Sequence, residues 1–420
     1  MSGSGEPLRA PQKKGQAMHD SWFRDYVLLA FRLDKALRAI SEHSPFVDYY
    51  YGPPEWRARV AAEALAPAPE LLHQALDLAE AVSRLELEPQ RAAFLSKQVL
   101  AMQTVCQKLC GETFTLEEEL QRCFDIRPSR TSEALFEQTW AQAEETLPGT
   151  GDIQKRIEAL EQHVTLPPER AEQMVDLLGY ALAETRRRTR TFLELPVDET
   201  ITIQATRGQR WMANNLFQGH ARSKLDLNID LFTYARALLT LAGHEGYPGH
   251  HTECTLKEQR LYRERGYLEQ AIGLLISPQM VISEGIATLA ASMLFSPEEE
   301  SQWLAEHMYP RAGLAVSPEE ARWISPAYTL YTPVRRNAAL LLHEGRSEKE
   351  VLEYLQQYLR VSAKEAEQIL AYLQRPFRER YIFTYAAGAE LMRPWLQGTN
   401  RHNVLARFLT EPITPSALLG

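Results

Sequence analysis

Apolar residues recur at helical spacing along most of the chain. Between Trp22 and Ser41 the apolar side chains at helical spacing include Phe23, Tyr26, Leu29, Leu33, Leu37 and Ile40. That spacing places them along one face of a helix. Similar patterns predict helices over about 55–65, 69–85, 89–110, 115–124, 131–145, 152–163 and 167–193, and later over about 334–344, 347–358 and 362–373. The chain is therefore predicted to be mainly α-helical.

The pattern changes after Leu195-Pro196. Residues 199–204 and 223–229 alternate in polarity and include β-branched side chains, which is typical of strands. An apolar helical run follows at 231–242. We expect a small β-sheet directly before this helix.

Composition and charge narrow the class of protein. The chain has 420 residues, of which 45% are hydrophobic and 24% charged, and its formal net charge is −9. An acidic chain argues against a dedicated nucleic-acid binder. No stretch of about 18 apolar residues predicts a membrane span, and residues 1–18 lack the apolar centre of a secretory signal. These features predict a cytoplasmic protein without nucleic-acid or membrane partners.

The candidate chemistry begins at the end of the apolar helix, with His244-Glu245-Gly246-Tyr247-Pro248-Gly249-His250-His251. Two imidazoles beside a carboxylate suggest a hydrolytic zinc site, whose usual pattern is H-E-x-x-H on one helix. Here Pro248 takes the place of the second histidine. In an unbroken helix His251 would lie ~10 Å from His244 along the axis, too far for one ion with bonds of about 2 Å. The histidines can converge only if the helix bulges at Pro248-Gly249; otherwise the helix ends there and they face solvent.

A second carboxylate lies further along the chain. Glu284 is part of Ile282-Ser283-Glu284-Gly285-Ile286-Ala287, inside the apolar stretch from Met280 to Leu294. Carboxylates are rarely buried unless they are paired or bound to a cation. This position therefore strengthens the case for a metal site.

Together these motifs resemble the bacterial "domain of unknown function 885" family, which is regarded as zincin-like. The resemblance runs from Phe46-Val47-Asp48-Tyr49-Tyr50-Tyr51-Gly52-Pro53-Pro54 to Tyr385-Ala386-Ala387-Gly388, which is most of the chain. The chain is also similar to helical gluzincins such as carboxypeptidase Taq and angiotensin-converting enzyme, whose third metal ligand is a glutamate on a later helix. The resemblance implies a gluzincin-like, two-lobed helical body with a small sheet next to the metal-site helix.

The resemblance also implies roles for individual residues. Zn²⁺ would be held by His244, His250 and Glu284, with His251 as an alternate ligand or a substrate contact. Glu245 would act as the general base. Tyr385 matches a tyrosine that stabilises the oxyanion in relatives, although it can equally be a packing residue. The alternative oxyanion donors are His307 and His343.

Other polar residues are candidates for supporting roles. A sheet edge beside the site can pair with an extended peptide, which makes Arg222 and Asn228 candidate substrate contacts or else ordinary surface residues. Glu253 and Glu258 either orient an imidazole or are solvated helix charges. The cations that could receive a substrate carboxylate are Arg222, Arg335 and Arg380.

The sequence thus predicts a zinc-dependent metallohydrolase, most simply a peptidase. The alternatives are an inactive zincin-like protein that binds a peptide or small ligand, and a metal-dependent amidase for small molecules. We expect a disordered tail at 1–18, a helical N-terminal lobe at 19–195 and a catalytic lobe at 196–420 with the sheet, the metal-binding helix and the C-terminal helices.

Overall fold

The computed structural model describes residues 10–147, 149–209, 211–231, 235–377 and 379–419. It confirms a mainly helical chain with small sheets. The helices of the first half are α1 (Ala10–Ile40), α2 (Pro54–Ala62), α3 (Ala68–Val82), α4 (Pro89–Leu109), α5 (Leu116–Phe124), α6 (Glu133–Thr146), α7 (Ile153–Val164) and α8 (Gln173–Thr189). Helix α1 begins inside the segment for which a disordered tail is predicted, and residues 1–9 of that segment lie outside the described residues.

The strands form two small sheets. Their bounds are β1 (Val47–Tyr50), β2 (Thr200–Thr206), β3 (Ala213–Gly219), β4 (Arg222–Asn228) and β5 (Ile272–Leu274). The larger sheet has the order β2-β4-β3, in which β4 pairs parallel with β2 and antiparallel with β3. Strands β1 and β5 form an antiparallel pair. Alternating polarity predicts β2 and β4 correctly, whereas β1, β3 and β5 are found only in the structure.

The second half of the chain returns to helices. They are α9 (Ala235–Leu241), α10 (His250–Lys257), α11 (Pro278–Leu294), α12 (Pro297–Trp303), α13 (Tyr309–Arg311), α14 (Pro318–Arg322), α15 (Pro326–His343), α16 (Glu348–Leu359), α17 (Ala363–Leu373), α18 (Ile382–Met392) and α19 (Arg401–Thr410). Among the described residues, no single helix has both the length and the apolar character needed to cross a membrane. Helix α11 and the segment Pro297–Arg311 have that length and apolar character only when taken together, and they are bent by 74° relative to each other.

Two large apolar cores organise these helices, and a third, smaller cluster contains Leu275, Met280 and Tyr381. The first joins α1, α3 and α4 to α15, α16 and α17, and the second joins α8 to β4, α9, α12 and α19. The cores therefore do not follow the predicted division at residue 195, because the apolar faces of α15–α17 are covered by N-terminal helices. Helix α11 lies between the cores, with Val281 in the first core and Ile286 in the second.

Helices α11 and α18 cross in direct backbone contact at two glycines. A Cβ on Gly285 would lie 2.7 Å from the carbonyl carbon of Gly388, and a Cβ on Gly388 would overlap the carbonyl oxygen of Val281. Real Cβ atoms do not approach backbone this closely, so only glycine permits the crossing. The contact fixes α18 next to the residue that precedes Gly285, the buried Glu284.

Replacing Gly388 by alanine should lower the free energy of unfolding. The added methyl group meets backbone atoms of α11, and overpacking of this kind typically costs about 1–3 kcal/mol. Chemical denaturation measures the loss. Gly179→Ala is the matched control, because Gly179 also stands inside a helix, α8. Its Cβ would lie 3.7 Å from the Cδ1 atom of Ile203 on β2, which is an ordinary contact. Equal free energies of unfolding for the two variants would contradict the close backbone contact between α11 and α18.

Candidate metal centre

The helix that carries His244 is interrupted before His250. Helix α9 continues into a π-helical turn at Ala242–Gly246, and α10 starts only at His250. The amide of Tyr247 donates to the carbonyl of Ala242 and the amide of Gly249 donates to the carbonyl of Gly243, each at 3.0 Å. These bonds reach back five and six residues instead of four, so the chain bulges where the sequence predicts a bulge.

Glycine is required at the end of this bulge. A Cβ on Gly249 would overlap the carbonyl oxygens of Gly243 and His244. The preceding peptide bond, between Tyr247 and Pro248, is cis. The tight return of the chain brings the start of α10 back towards His244.

The bulge brings two imidazoles together with the carboxylate of α11. The Nε2 atoms of His244 and His250 lie 3.5 and 3.9 Å from Oε2 of Glu284. The two rings are nearly perpendicular, with centroids 4.8 Å apart. One ligand atom from each residue lies within 4.8 Å of the others, as in a group able to hold one metal ion.

Burial keeps both imidazoles in the form that binds metals. Burial and the neighbouring His250 lower the pKa of His244 to about 3. Burial lowers the pKa of His250 to about 4. Both rings are therefore neutral near pH 7, and a neutral imidazole has a lone pair for a cation.

A buried chain of hydrogen bonds orients His250. Its Nδ1 atom lies 3.0 Å from Oγ of Ser283, which donates to Oε2 of Glu253 at 2.6 Å. Glu253 also accepts from Nζ of Lys257 at 2.5 Å. Because the hydroxyl hydrogen of Ser283 goes to Glu253, Ser283 accepts from the Nδ1–H group, and the lone pair of His250 is on Nε2. Glu253 thus supports an imidazole, but through Ser283.

A tyrosine orients the carboxylate in the same way. The hydroxyl of Tyr381 donates to Oε1 of Glu284 at 2.6 Å, which leaves Oε2 facing the imidazoles. Tyr385, the predicted oxyanion donor, is half-buried one turn later, with its ring centroid 5.6 Å from that of Tyr381. Tyr381 therefore orients Glu284, and the ring of Tyr385 packs against that of Tyr381.

Glu245 lies within the π-helical turn and is buried. Burial, with the nearby carboxylates of Glu284 and Asp48, raises its pKa to about 8. Its backbone carbonyl accepts a hydrogen bond from the side chain of Asn215, on β3. The general base predicted from the sequence is therefore next to the cluster and tied to the sheet.

The structure does not place His251 with the other histidines. Its Nδ1 atom lies 2.8 Å from Oγ of Ser223 and its Nε2 atom lies 3.1 Å from Oε2 of Glu199, and the residue is 1% exposed. Both ring nitrogens are thus occupied by protein groups away from Glu284. His251 joins the start of α10 to the sheet, which differs from its predicted roles as alternate ligand and substrate contact.

Other predicted residues have structural partners. Asn228 is fully buried and donates to the carbonyls of Gln209 and Trp211, so it holds a loop rather than a substrate. Glu258 accepts from the amides of His220 and Ala221 in the turn between β3 and β4 and does not contact an imidazole of the cluster.

The remaining candidates lie in three different settings. Arg222 is exposed at the start of β4. His307 is exposed against Trp303, with ring centroids 5.9 Å apart. His343 contacts the guanidinium of Arg380, which pairs with Glu119 at 2.8 Å. None of them joins the group formed by the three predicted ligands within the described part of the chain.

Sequence reasoning missed Ser283, Tyr381 and Glu199. Ser283 and Tyr381 stand inside motifs that the sequence singles out, but a hydroxyl has no spacing rule that assigns it to a metal site. Glu199 is more than 40 residues from the motif, and only the position of β2 brings it to His251.

Among the comparisons with known proteins, only solved structures are similar to this chain. No protein-family model and no curated protein matches the chain. A solved structure titled as a "putative lipoprotein" from Colwellia psychrerythraea is similar, with a TM-score of 0.50 and 15% identity over 84% of this chain and 66% of that chain. Another, a "putative lipoprotein of unknown function" from Shewanella oneidensis, has a TM-score of 0.50 and 10% identity over 93% of this chain and 81% of that chain. This chain thus spans just under two thirds of the first protein, and both likenesses concern the fold alone.

Removing the hydroxyl of Ser283 should weaken metal binding. Ser283→Ala leaves the Nδ1–H group of His250 and the carboxylate of Glu253 without their partner, and losses of this type cost roughly 10–100-fold in affinity. Competition with a chromophoric zinc chelator measures the effect. Ser292→Ala is the control on the same helix, where the hydroxyl donates only to the carbonyl of Leu289. Equal affinities for the two variants would show that Ser283 does not support the ligand.

Substituting the two adjacent histidines should have different effects. If the cluster binds zinc, we expect His250→Ala to lose it, because the substitution removes one of the three candidate ligands. We expect His251→Ala to keep about one zinc per chain but to unfold more easily, because Glu199 and Ser223 lose a buried partner. Metal analysis and thermal denaturation of both variants test this difference. Loss of zinc from the His251 variant alone would reverse the assignment.

Proposed function

We propose that this protein is a zinc-dependent hydrolase that cleaves peptide bonds. The observation that carries the proposal is the convergence of His244, His250 and Glu284, whose ligand atoms lie within 4.8 Å of one another beside Glu245. We also propose that the fold is zincin-like and that the chain is related to the "domain of unknown function 885" family.

The three side chains suit zinc by type and by spacing. Catalytic zinc sites commonly use three protein ligands from histidine and acidic residues and keep a fourth position for water. With bonds of about 2 Å in tetrahedral geometry, neighbouring ligand atoms are ~3.3 Å apart. Two of the three separations here are 3.5 and 3.9 Å, close to that value, and all three ligand atoms lie within 4.8 Å of one another. Two neutral imidazoles and one carboxylate also leave a net positive charge on such a site.

The residues around the cluster then have distinct roles. When bound, zinc supplies Lewis acidity, which lowers the pKa of water and polarises a carbonyl. A cation bound next to Glu245 would favour its ionised form, and the carboxylate would then accept the proton of the attacking water and pass it to the leaving amine. Tyr381 and Ser283 hold Glu284 and His250 in orientation. Tyr385 is the proposed donor to the oxyanion, since it lies beside Tyr381.

The sheet supports a peptide as the substrate. Strand β3 pairs only with β4 among the described strands, and its Asn215 side chain contacts the backbone of Glu245. An extended peptide can add to such an edge through main-chain hydrogen bonds. The cleaved bond would then lie next to the general base.

Glu245→Gln should reduce peptide hydrolysis by roughly 10²–10⁴-fold, because it removes the general base. Zinc content should stay at one ion per chain, since this residue is not a ligand. The measurements are the initial rate of peptide cleavage and the metal content of the same sample. Glu264→Gln is the control, as Glu264 is exposed and pairs with Arg260 at 3.0 Å. Cleavage at the parent rate by the Glu245 variant would disprove the assigned base.

A further inference from the structure

A buried carboxylate outside the metal cluster contacts the chain on both sides of its tight return at Gly249. The hydroxyl of Tyr247 donates to Oε2 of Glu199 at 2.5 Å, and Nε2 of His251 lies 3.1 Å from the same oxygen. Tyr247 comes two residues before Gly249, and His251 comes two residues after it. One oxygen atom therefore connects both ends of the short segment that contains His250.

The carboxylate of Glu199 only accepts hydrogen bonds. Burial alone would raise its pKa, but the hydrogen bonds from His251, Tyr247 and Arg186 outweigh burial and lower the pKa, so the group is ionised near pH 7. An ionised carboxylate has no hydrogen to donate, so the hydrogen between the two groups is on Nε2 of His251. Nδ1 of the same ring lies 2.8 Å from Oγ of Ser223, which donates to it.

Glu199 is itself fixed by regular parts of the fold. It immediately precedes β2, and Nε of Arg186, on α8, donates to its Oε1 atom at 2.5 Å. The guanidinium of Arg186 also donates to the backbone carbonyl of Glu199 at 3.4 Å. Strand β2 pairs with β4, where Ile201 stands opposite Ser223. A helix and a sheet thus hold the carboxylate, and the carboxylate holds the irregular segment.

Burial makes this attachment difficult to replace. Tyr247 is 3% exposed and His251 is 1% exposed, so water has little access to either side chain. If their common acceptor were removed, both donors would stay buried without a partner, which costs more than an ordinary hydrogen bond contributes. The native shape of the bulge therefore depends on the carboxylate of Glu199.

We propose that Glu199 is a positioning residue of the metal centre. It holds Tyr247 and His251 together, and the return of the chain between them places His250 beside Glu284. This inference rests on the proposed metal site, and it adds a side chain that contacts no ligand atom but determines whether the ligands converge. The sheet and α8 would thus control the metal centre through one carboxylate.

Glu199→Gln should disturb the bulge more than the loss of one attachment does. His251→Ala leaves Tyr247 on Glu199, so one of the two contacts across the return persists. A glutamine side chain has one acceptor oxygen and an NH₂ group that can only donate. Its NH₂ group would face either Arg186 or the pair formed by Tyr247 and His251, and each of these is a donor.

Hydrogen exchange tests the proposal on metal-free protein. The amides of Tyr247 and Gly249 form the two long-range bonds of the bulge, and mass spectrometry follows them in a fragment that spans residues 243–251. We expect Glu199→Gln to accelerate their exchange roughly 10-fold or more, because the loss of a buried partner lowers the free energy of local opening. The zinc affinity, measured by competition with a chromophoric chelator, should fall roughly 10–100-fold.

Glu269→Gln is the matched control. The side chain of Glu269 is also buried, and it pairs with Arg91 at 2.8 Å. This variant should lose stability but keep the exchange rate of the fragment and the zinc affinity of the folded protein. A general loss of stability would accelerate exchange in both variants alike, so the comparison isolates the effect of Glu199 on the bulge.

Tyr247→Phe is a second, milder variant that removes only one hydroxyl group. It should accelerate exchange of the fragment roughly 3–10-fold, the effect of one lost hydrogen bond. Tyr267→Phe is its control, since that buried hydroxyl donates to Glu88 at 2.9 Å. If Glu199→Gln does not fold, this pair of variants carries the same comparison.

Two results would overturn the proposal. One is equal exchange of the fragment in the Glu199 and Glu269 variants, and the other is a measurable zinc affinity that is the same in both. Faster exchange in the Glu199 variant alone, together with weaker zinc binding, would support it. Faster exchange in the Glu199 variant alone, with no zinc binding even by the parent protein, would support Glu199 as the anchor of the bulge and overturn the metal centre.

Discussion

The metal-type cluster depends on one irregularity of the backbone. In a continuous helix His244 and His250 would lie on different faces, about 9 Å apart along the axis. The π-helical turn and the return of the chain at Gly249 bring them within reach of one carboxylate. The Ser283 hydrogen bond to His250 and the position of Glu245 both presuppose that bulge.

Much of the fold could be predicted from the sequence, because amphipathic helices have a period of their own. The apolar face of α1 is buried at Phe23, Tyr26 and Leu33, as the spacing indicates, while Ile40 at its end is 54% exposed. The pairing of lobes could not be predicted. The apolar stripe on α15 predicts that this face is buried, but it does not indicate that N-terminal helices cover it.

The site, like the fold, could be predicted from the sequence only in part. Histidine and glutamate are recognisable as metal-ligand residue types, and the resemblance to zincin-like proteins implies His244, His250 and Glu284 as the ligand set. The choice between His250 and His251 needed coordinates, because Glu199 and Ser223 are distant in sequence and decide where the second ring points. The zinc ion, the peptide substrate and the cytoplasmic location remain predictions.

The position of α11 between the two cores has a thermodynamic consequence. Glu284 comes from that helix, His244 comes from the π-helical turn that packs on α8, His250 comes from α10, and Tyr381 belongs to the segment that leads into α18. An ion held by these groups would bind the assembled arrangement and not its separated parts. By linkage, its binding free energy would add to the cohesion of the two halves, so that metal supply would regulate the lifetime of the folded chain as well as its chemistry.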